Sequence, residues 1–161
     1  MKRSFEVLKG LTQVTIALLV AAWCVLWLRA LDQKLGIMLP PWTVPLGIVL
    51  MVVGGSLVLV CGGMLSAGGI GTRRGLPFPK QFVAVGPFRY VRNPMSMGAV
   101  TLMFGFGLLH RSISIALASV CLFILIHFVV VTIEEPGLAK RFDGSYLEYK
   151  QSVNRWIPRW R

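Results

Sequence analysis

At 161 residues the chain has the length of one domain, and 55 % hydrophobic residues, 14 % charged residues and a mean hydropathy of +0.71 exclude an ordinary soluble globule. The net charge of +11 would suit nucleic acid in a soluble domain. With bilayer-length apolar runs beside it, the charge instead fits Lys and Arg kept in cytoplasmic loops, so no nucleic-acid partner is expected.

Cys24, Cys61 and Cys121 each lie inside an apolar run without CxxC or Cys/His spacing. They indicate neither a metal site nor a disulfide framework and read as small apolar residues.

The basic opening MKRSFEVLKG is followed by an apolar run over about 11–28. No convincing small-residue cleavage site follows, so this reads as an uncleaved first span. A turn with Pro40, Pro41 and Pro45 leads to a second span over about 44–67. Small residues recur there every seventh position, at Gly47, Gly54, Cys61 and Gly68 and again at Gly55, Gly62 and Gly69. Such stripes let membrane helices approach closely.

The stretch 68–86 is the longest polar connection, rich in Gly, Pro and basic residues. The third span covers about 94–109; its sixteen residues reach only about 24 Å against a hydrocarbon core of roughly 30 Å. After the turn His110-Arg111-Ser112, with Ser112 a plausible N-cap, the fourth span runs over about 112–133; its apolar run ends at Glu134-Glu135-Pro136, and the helix itself can continue past the membrane surface.

Of the 17 Lys and Arg, 14 fall in the N-terminus, the central connection and the tail, and three in the other two turns. The expected fold is therefore all-α and integral to the membrane, one domain of four transmembrane helices with both termini cytoplasmic. A C-terminal amphipathic helical tail follows. The stretches 68–94 and 134–161 then share the cytoplasmic face.

Candidate chemistry gathers there. Asn93-Pro94 reads as a helix start, with free N–H groups and a partial positive charge beside Arg89 and Arg92. This suits a carboxylate or phosphate, and equally an ordinary capped helix with cytoplasmic arginines. Glu134 and Glu135 oppose the dipole of a helix ending there, which points to paired cations such as Arg92 or Arg155 or to ribose hydroxyls. His127 lies seven residues before Glu134, on nearly the same face and about 10 Å deeper. It is either functional or a hydrogen-bonded core histidine. The tail residues Leu138, Phe142, Tyr146, Tyr149, Val153, Trp156 and Ile157 recur at helical spacing. That pattern fits a helix on the bilayer surface or an aromatic lid over a pocket able to stabilise a sulfonium or ammonium group.

RYVRNPMSMG, followed some forty residues on by EEPGLAKRFDGSYLEYKQSVNRWIPR, resembles the isoprenylcysteine carboxyl methyltransferase and phospholipid N-methyltransferase superfamily. Its pattern is Arg-(His/Asn)-Pro-Met-Tyr-x-Gly, a helical hairpin, then Glu-Glu-x-x-Leu, Phe-Gly-x-x-Tyr-x-x-Tyr and Val-Pro-Arg-x-Ile-Pro. Ser96 stands where Tyr is usual, Gly144 is offset by one place, and Asn154 replaces a Pro. The resemblance implies S-adenosylmethionine held between the central connection and the tail, with a lipid-borne or hydrophobic acceptor arriving from the bilayer. It implies that Arg92, Asn93 and Pro94 frame the cofactor and that Glu134 and Glu135 bind it or orient the site. Tyr146, Tyr149 and Arg155 would close the site, and Gly69 and Gly71 match, loosely, a Gly-x-Gly of the phospholipid enzymes.

A carboxylate acceptor needs no base, whereas an amine must lose a proton, and then Glu134, Glu135 or His127 is a candidate. Two other readings compete: a dinucleotide-dependent membrane reductase, and a non-catalytic multispan ligand-binding protein. A bacterial cytoplasmic membrane fits the compact size, or the endoplasmic reticulum if the source is eukaryotic. The sequence sets neither the oligomeric state nor the acceptor.

Overall fold

A computed structural model describes residues 24–66 and 84–158. Helix α1 (24–35) ends at Gly36, whose φ of +66° is the left-handed conformation that glycine adopts without a Cβ penalty. Helix α2 is Thr43–Ser66, α3 is Pro94–Leu109 and α4 is Ile113–Val129. A π-helical turn, Val130–Glu134, leads directly into α5, Glu135–Ser152. The described residues contain no strand.

Two helices are long and apolar enough to cross a membrane, Thr43–Met64 and Ile113–Lys140; α3, also apolar, has 16 residues. Their outward positions carry Leu46, Val49, Val53 and Leu59 on α2 and Leu117, Ile124, Leu125 and Phe128 on α4, all exposed. Most of the expected first span lies outside the described residues.

Helices α2 and α3 coincide to within a residue with the apolar runs at 44–67 and 94–109, for identifiable reasons. Pro94 takes the first turn of α3, where a missing N–H costs no helical hydrogen bond. Ser112 Oγ accepts from the Ile115 N–H at 3.2 Å and so caps α4. The helix that carries the fourth span does continue past its apolar run: beyond Ile133 it passes Glu134-Glu135-Pro136 through the π turn and reaches Ser152.

Helices α2 and α3 pack backbone against backbone. A methyl group added to Gly54 would lie 2.6 Å from the Gly98 carbonyl oxygen, and one on Gly98 would lie 2.9 Å from that of Gly54. Gly47 and Gly105 form the same reciprocal pair two turns nearer the opposite end, at 2.7 and 2.8 Å. Of the two small-residue stripes, the one through Gly47, Gly54 and the fully buried Cys61 makes this contact. The other does not: a methyl on Gly62 would meet nothing within 4 Å.

The turn after α1 and the α3–α4 turn are sewn together at the end of the bundle away from Glu135. The Leu39 N–H donates to the Arg111 carbonyl at 2.9 Å, and Arg111 Nε returns a bond to the Leu39 carbonyl at 2.6 Å. Thr43 Oγ1 donates to the Leu108 carbonyl at 3.2 Å. Asp32, 3 % exposed, accepts from the hydroxyls of Ser112 and Ser114 and from the Ser114 N–H at 3.2 Å. It thus satisfies the Ser114 N–H at the start of α4. Burial pushes its pKa up, but the bonds from Ser112 and Ser114 outweigh this and hold it below the ordinary value.

Gly54→Ala is expected to destabilise the protein by about 1–3 kcal/mol in detergent thermal unfolding, because neither backbone can give way, while Gly62→Ala is neutral or slightly stabilising. Asp32→Asn is expected to lower Tm at pH 7. The depressed folded pKa means that the ionised group's contribution is present above the ordinary carboxylate value. It is lost as pH falls through the lower folded value, so the difference between wild type and variant should shrink below about pH 4. A difference that stayed constant with pH would assign the loss to packing.

Candidate functional site

The π turn decides which acid faces inward. The Glu135 N–H donates to the Val130 carbonyl, five residues back instead of four. One additional residue in a turn rotates everything beyond it by about 100°. In an uninterrupted α-helix, Glu134 would share the face of His127. With the π turn that place passes to Glu135, which is 4 % exposed, while Glu134 is exposed. The widened turn also accommodates Pro136, whose ring and missing N–H disrupt regular α-helical geometry. The two acids expected to act together are therefore separated.

Three cations converge on Glu135. Arg155 binds it with two hydrogen bonds, Nε to Oε1 at 2.6 Å and Nη2 to Oε2 at 3.1 Å. Arg92 Nη1 lies 3.0 Å from Oε1 and Lys150 Nζ lies 3.1 Å from Oε2. The bond to Glu135 raises the pKa of Arg155 further, against the opposing effect of burial. Arg92 differs from the other two in being only 10 % exposed. Its Nε and Nη1 have no hydrogen-bond partner among the described residues, the Nη1 contact being an ion pair off the hydrogen-bonding line.

The connection before α3 and the tail after α4 close around this cluster. Phe142, Tyr146, Tyr149 and Val153 form a buried core, with Ala84, Leu138 and Ala139 packed against it. The apolar face of α5 is thus turned towards the segment that begins at Ala84. Tyr149 Oη donates to the Phe88 carbonyl at 2.6 Å, and the Arg92 N–H donates to the Asn154 carbonyl at 2.9 Å. Burial pushes the Tyr146 phenol up, with the Glu135 charge adding to it and Arg92 opposing. Burial likewise holds the Tyr149 phenol well above its usual range, so both are neutral hydrogen-bonding groups at physiological pH.

Arg92, Glu135, Tyr146 and Arg155 are thereby brought together, with Pro94 buried at the start of α3. Asn93 occupies the N-cap position, but its side chain makes no capping bond, so the first N–H groups of α3 lack the expected cap. Tyr149 is an internal clasp, its hydroxyl used on Phe88. Arg89 is exposed and reaches back to the Ala84 carbonyl at 3.3 Å. Gly69 and Gly71 lie outside the described residues.

Two partners were not foreseen. Lys150 follows Tyr146 by four residues, so the helical spacing of the tail could have placed it on the same face. Trp156 Nε1 donates to His127 Nδ1 at 3.0 Å, a bond across 29 positions with no local sequence signal.

Comparison with known proteins adds one finding. The family model described as phospholipid methyltransferase matches residues 42–145, from the start of α2 into α5. No curated protein and no solved structure matches the chain.

Glu135→Gln is expected to cost about 3 kcal/mol, since it leaves Arg92 buried without its counter-charge while Lys150 and Arg155 can turn to water. Glu134→Gln should change stability by less than about 0.5 kcal/mol. Thermal unfolding of the two purified variants in the same detergent checks the contrast. Equal losses would contradict the assignment of the inward acid.

Proposed function

The chain belongs to the phospholipid methyltransferase family, within the membrane superfamily that includes the isoprenylcysteine carboxyl methyltransferases, and from that premise we propose an S-adenosylmethionine-dependent enzyme that methylates a lipid-borne or hydrophobic acceptor. The single observation that carries the site assignment is Arg92. It is a nine-tenths buried guanidinium with an unpartnered Nε, beside an uncapped helix N-terminus and clamped to Glu135. This set fits the α-carboxylate of S-adenosylmethionine, which needs a buried cation and spare N–H donors.

In this reading Arg92 holds the carboxylate and Asn93 and Pro94 set the start of α3 against it. Glu135 fixes the Arg92 and Arg155 guanidiniums and, already facing three cations, acts neither as a base nor as a primary ligand. Tyr146 and Tyr149 keep the tail closed over the segment 84–92. Glu134, exposed, is left out of the chemistry. When bound, S-adenosylmethionine supplies a methyl group whose bond to sulfur breaks as a bond to an acceptor oxygen or nitrogen forms, leaving a neutral thioether. The chain's contribution is position and the exclusion of water: a dry apolar surround favours the loss of charge at sulfur.

The reading also includes four spans with both termini and the Glu135 cluster on the cytoplasmic side, and acceptor entry from the bilayer. The distribution of Lys and Arg and the exposed apolar faces of α2 and α4 support it.

The test is transfer of labelled methyl from S-adenosylmethionine into lipid-extractable material by protein in bilayer vesicles, with NADPH binding measured as a control. Label in the lipid fraction and no NADPH binding are expected. Arg92→Lys should weaken S-adenosylmethionine binding about 10- to 100-fold, the loss of a charge-assisted hydrogen bond, with the fold retained. NADPH binding without methyl transfer would move the assignment to a reductase.

A further inference from the structure

Two features near the cluster remain unused. One is the His127–Trp156 pair. The other is an apolar groove between α3 and α4, about 360 Å³, lined among others by Val100, Phe104, Val120 and Phe123. They are continuous. Phe123 lines the groove and packs edge-on against Trp156, with ring centroids 5.0 Å apart, and His127 stands one turn further along α4. Trp156 in turn adjoins Arg155, which holds Glu135.

The hydrogen bond dictates the state of the imidazole. Indole Nε1–H can only donate, so His127 Nδ1 must offer a lone pair. A neutral imidazole with Nδ1 unprotonated carries its proton on Nε2. While the bond to Trp156 stands, the Nδ1 lone pair is taken up by the indole N–H. Nε2–H is left as a donor on the far side of the ring, without a hydrogen-bond partner among the described residues.

We propose that His127 is a positioning residue, fixed by Trp156 as the Nε2–H tautomer, that donates this hydrogen bond to an anionic oxygen on the head group of a lipid whose chain lies in the α3–α4 groove. The assignment of that lipid as methyl acceptor rests on the function proposed above; the tautomer and the lipid contact do not. A chain in the groove passes Phe123, brings its head group to His127, and places it next to the Trp156–Arg155 corner of the cluster. An apolar groove ending at a neutral donor selects a lipid with a phosphate or carboxylate oxygen close to its chain, and gives no advantage to a head group that offers only donors.

The chain has two histidines, so His110→Asn leaves one imidazole to observe. Nitrogen NMR of ¹⁵N-histidine-labelled His110→Asn protein in nanodiscs of digalactosyldiacylglycerol, which carries no phosphate or carboxylate oxygen, at pH 7.5 should show a protonated Nε2 and an unprotonated Nδ1. Trp156→Phe in that background should give a tautomer mixture. Dodecyl phosphate should shift the Nε2 signal saturably, and dodecyl maltoside should not.

In turnover, His127→Leu should raise the KM for the lipid acceptor about 10-fold or more with kcat retained, and His127→Gln, which keeps a donor and an acceptor, should recover most of it. A proton on Nδ1, a doubly protonated ring, or an Nε2 signal indifferent to dodecyl phosphate would overturn the proposal. So would a His127→Leu variant that lowers Tm alone. Absence of methyl transfer with the NMR results intact would remove the methyltransferase reading and leave His127 as a lipid-binding donor.

Discussion

The contact on which the rest depends is the Glu135 carboxylate facing Arg92, Lys150 and Arg155. Its partners come from separate parts of the chain: Arg92 from the segment before α3, Lys150 from α5 and Arg155 from beyond α5. One buried charge therefore fixes the distance between the entry of the α3–α4 hairpin and its exit. A lone buried carboxylate would be costly, and so would a lone Arg92; each is tolerated because the other is present. The aromatic core of Phe142, Tyr146 and Tyr149 packs where the ion cluster has already brought the backbones together, and it keeps water from screening the cluster.

This geometry requires a defect in the helix. A regular α4 continued through the acids would direct Glu134 inward and Glu135 aside. The π turn of Val130–Glu134 corrects the register by one residue and at the same place absorbs Pro136. The same rotation keeps His127 and Glu135 on one face, so that consecutive tail residues, Arg155 and Trp156, reach both. A structural irregularity thus aligns a histidine within a membrane-length apolar helix with the ion cluster at its end.

What the sequence made legible follows from how local each signal is. The Asn93-Pro94 start and the Ser112 cap are local, and α3 and α4 begin where these residues require. The seven-residue spacing of Gly47, Gly54 and Cys61 belongs to one helix, and it correctly marked a close-packed face. Its twin through Gly55 and Gly62 looked the same in sequence but makes no backbone-to-backbone contact: a methyl on Gly55 would meet only the Leu102 side chain, at 3.7 Å, because only the partner helix distinguishes the two stripes. The choice between Glu134 and Glu135 was hidden by the π turn, since counting in steps of 3.6 assumes a helix without interruption. Asp32 gave no signal either: one acid near a helix end resembles any solvated loop acid until the Ser112 and Ser114 hydroxyls are seen to enclose it.

On the proposed function, the inward acid Glu135, and not its neighbour Glu134, organises the residues that would hold S-adenosylmethionine. Calorimetric titration of S-adenosylmethionine into wild type, Glu134→Gln and Glu135→Gln, each shown by circular dichroism to keep its helices, tests it most directly. Saturable binding of similar affinity is expected for the first two, with a loss of at least about 10-fold for Glu135→Gln, because Arg92 loses the charge that orients it. Undiminished binding by Glu135→Gln, or a loss confined to Glu134→Gln, would contradict it.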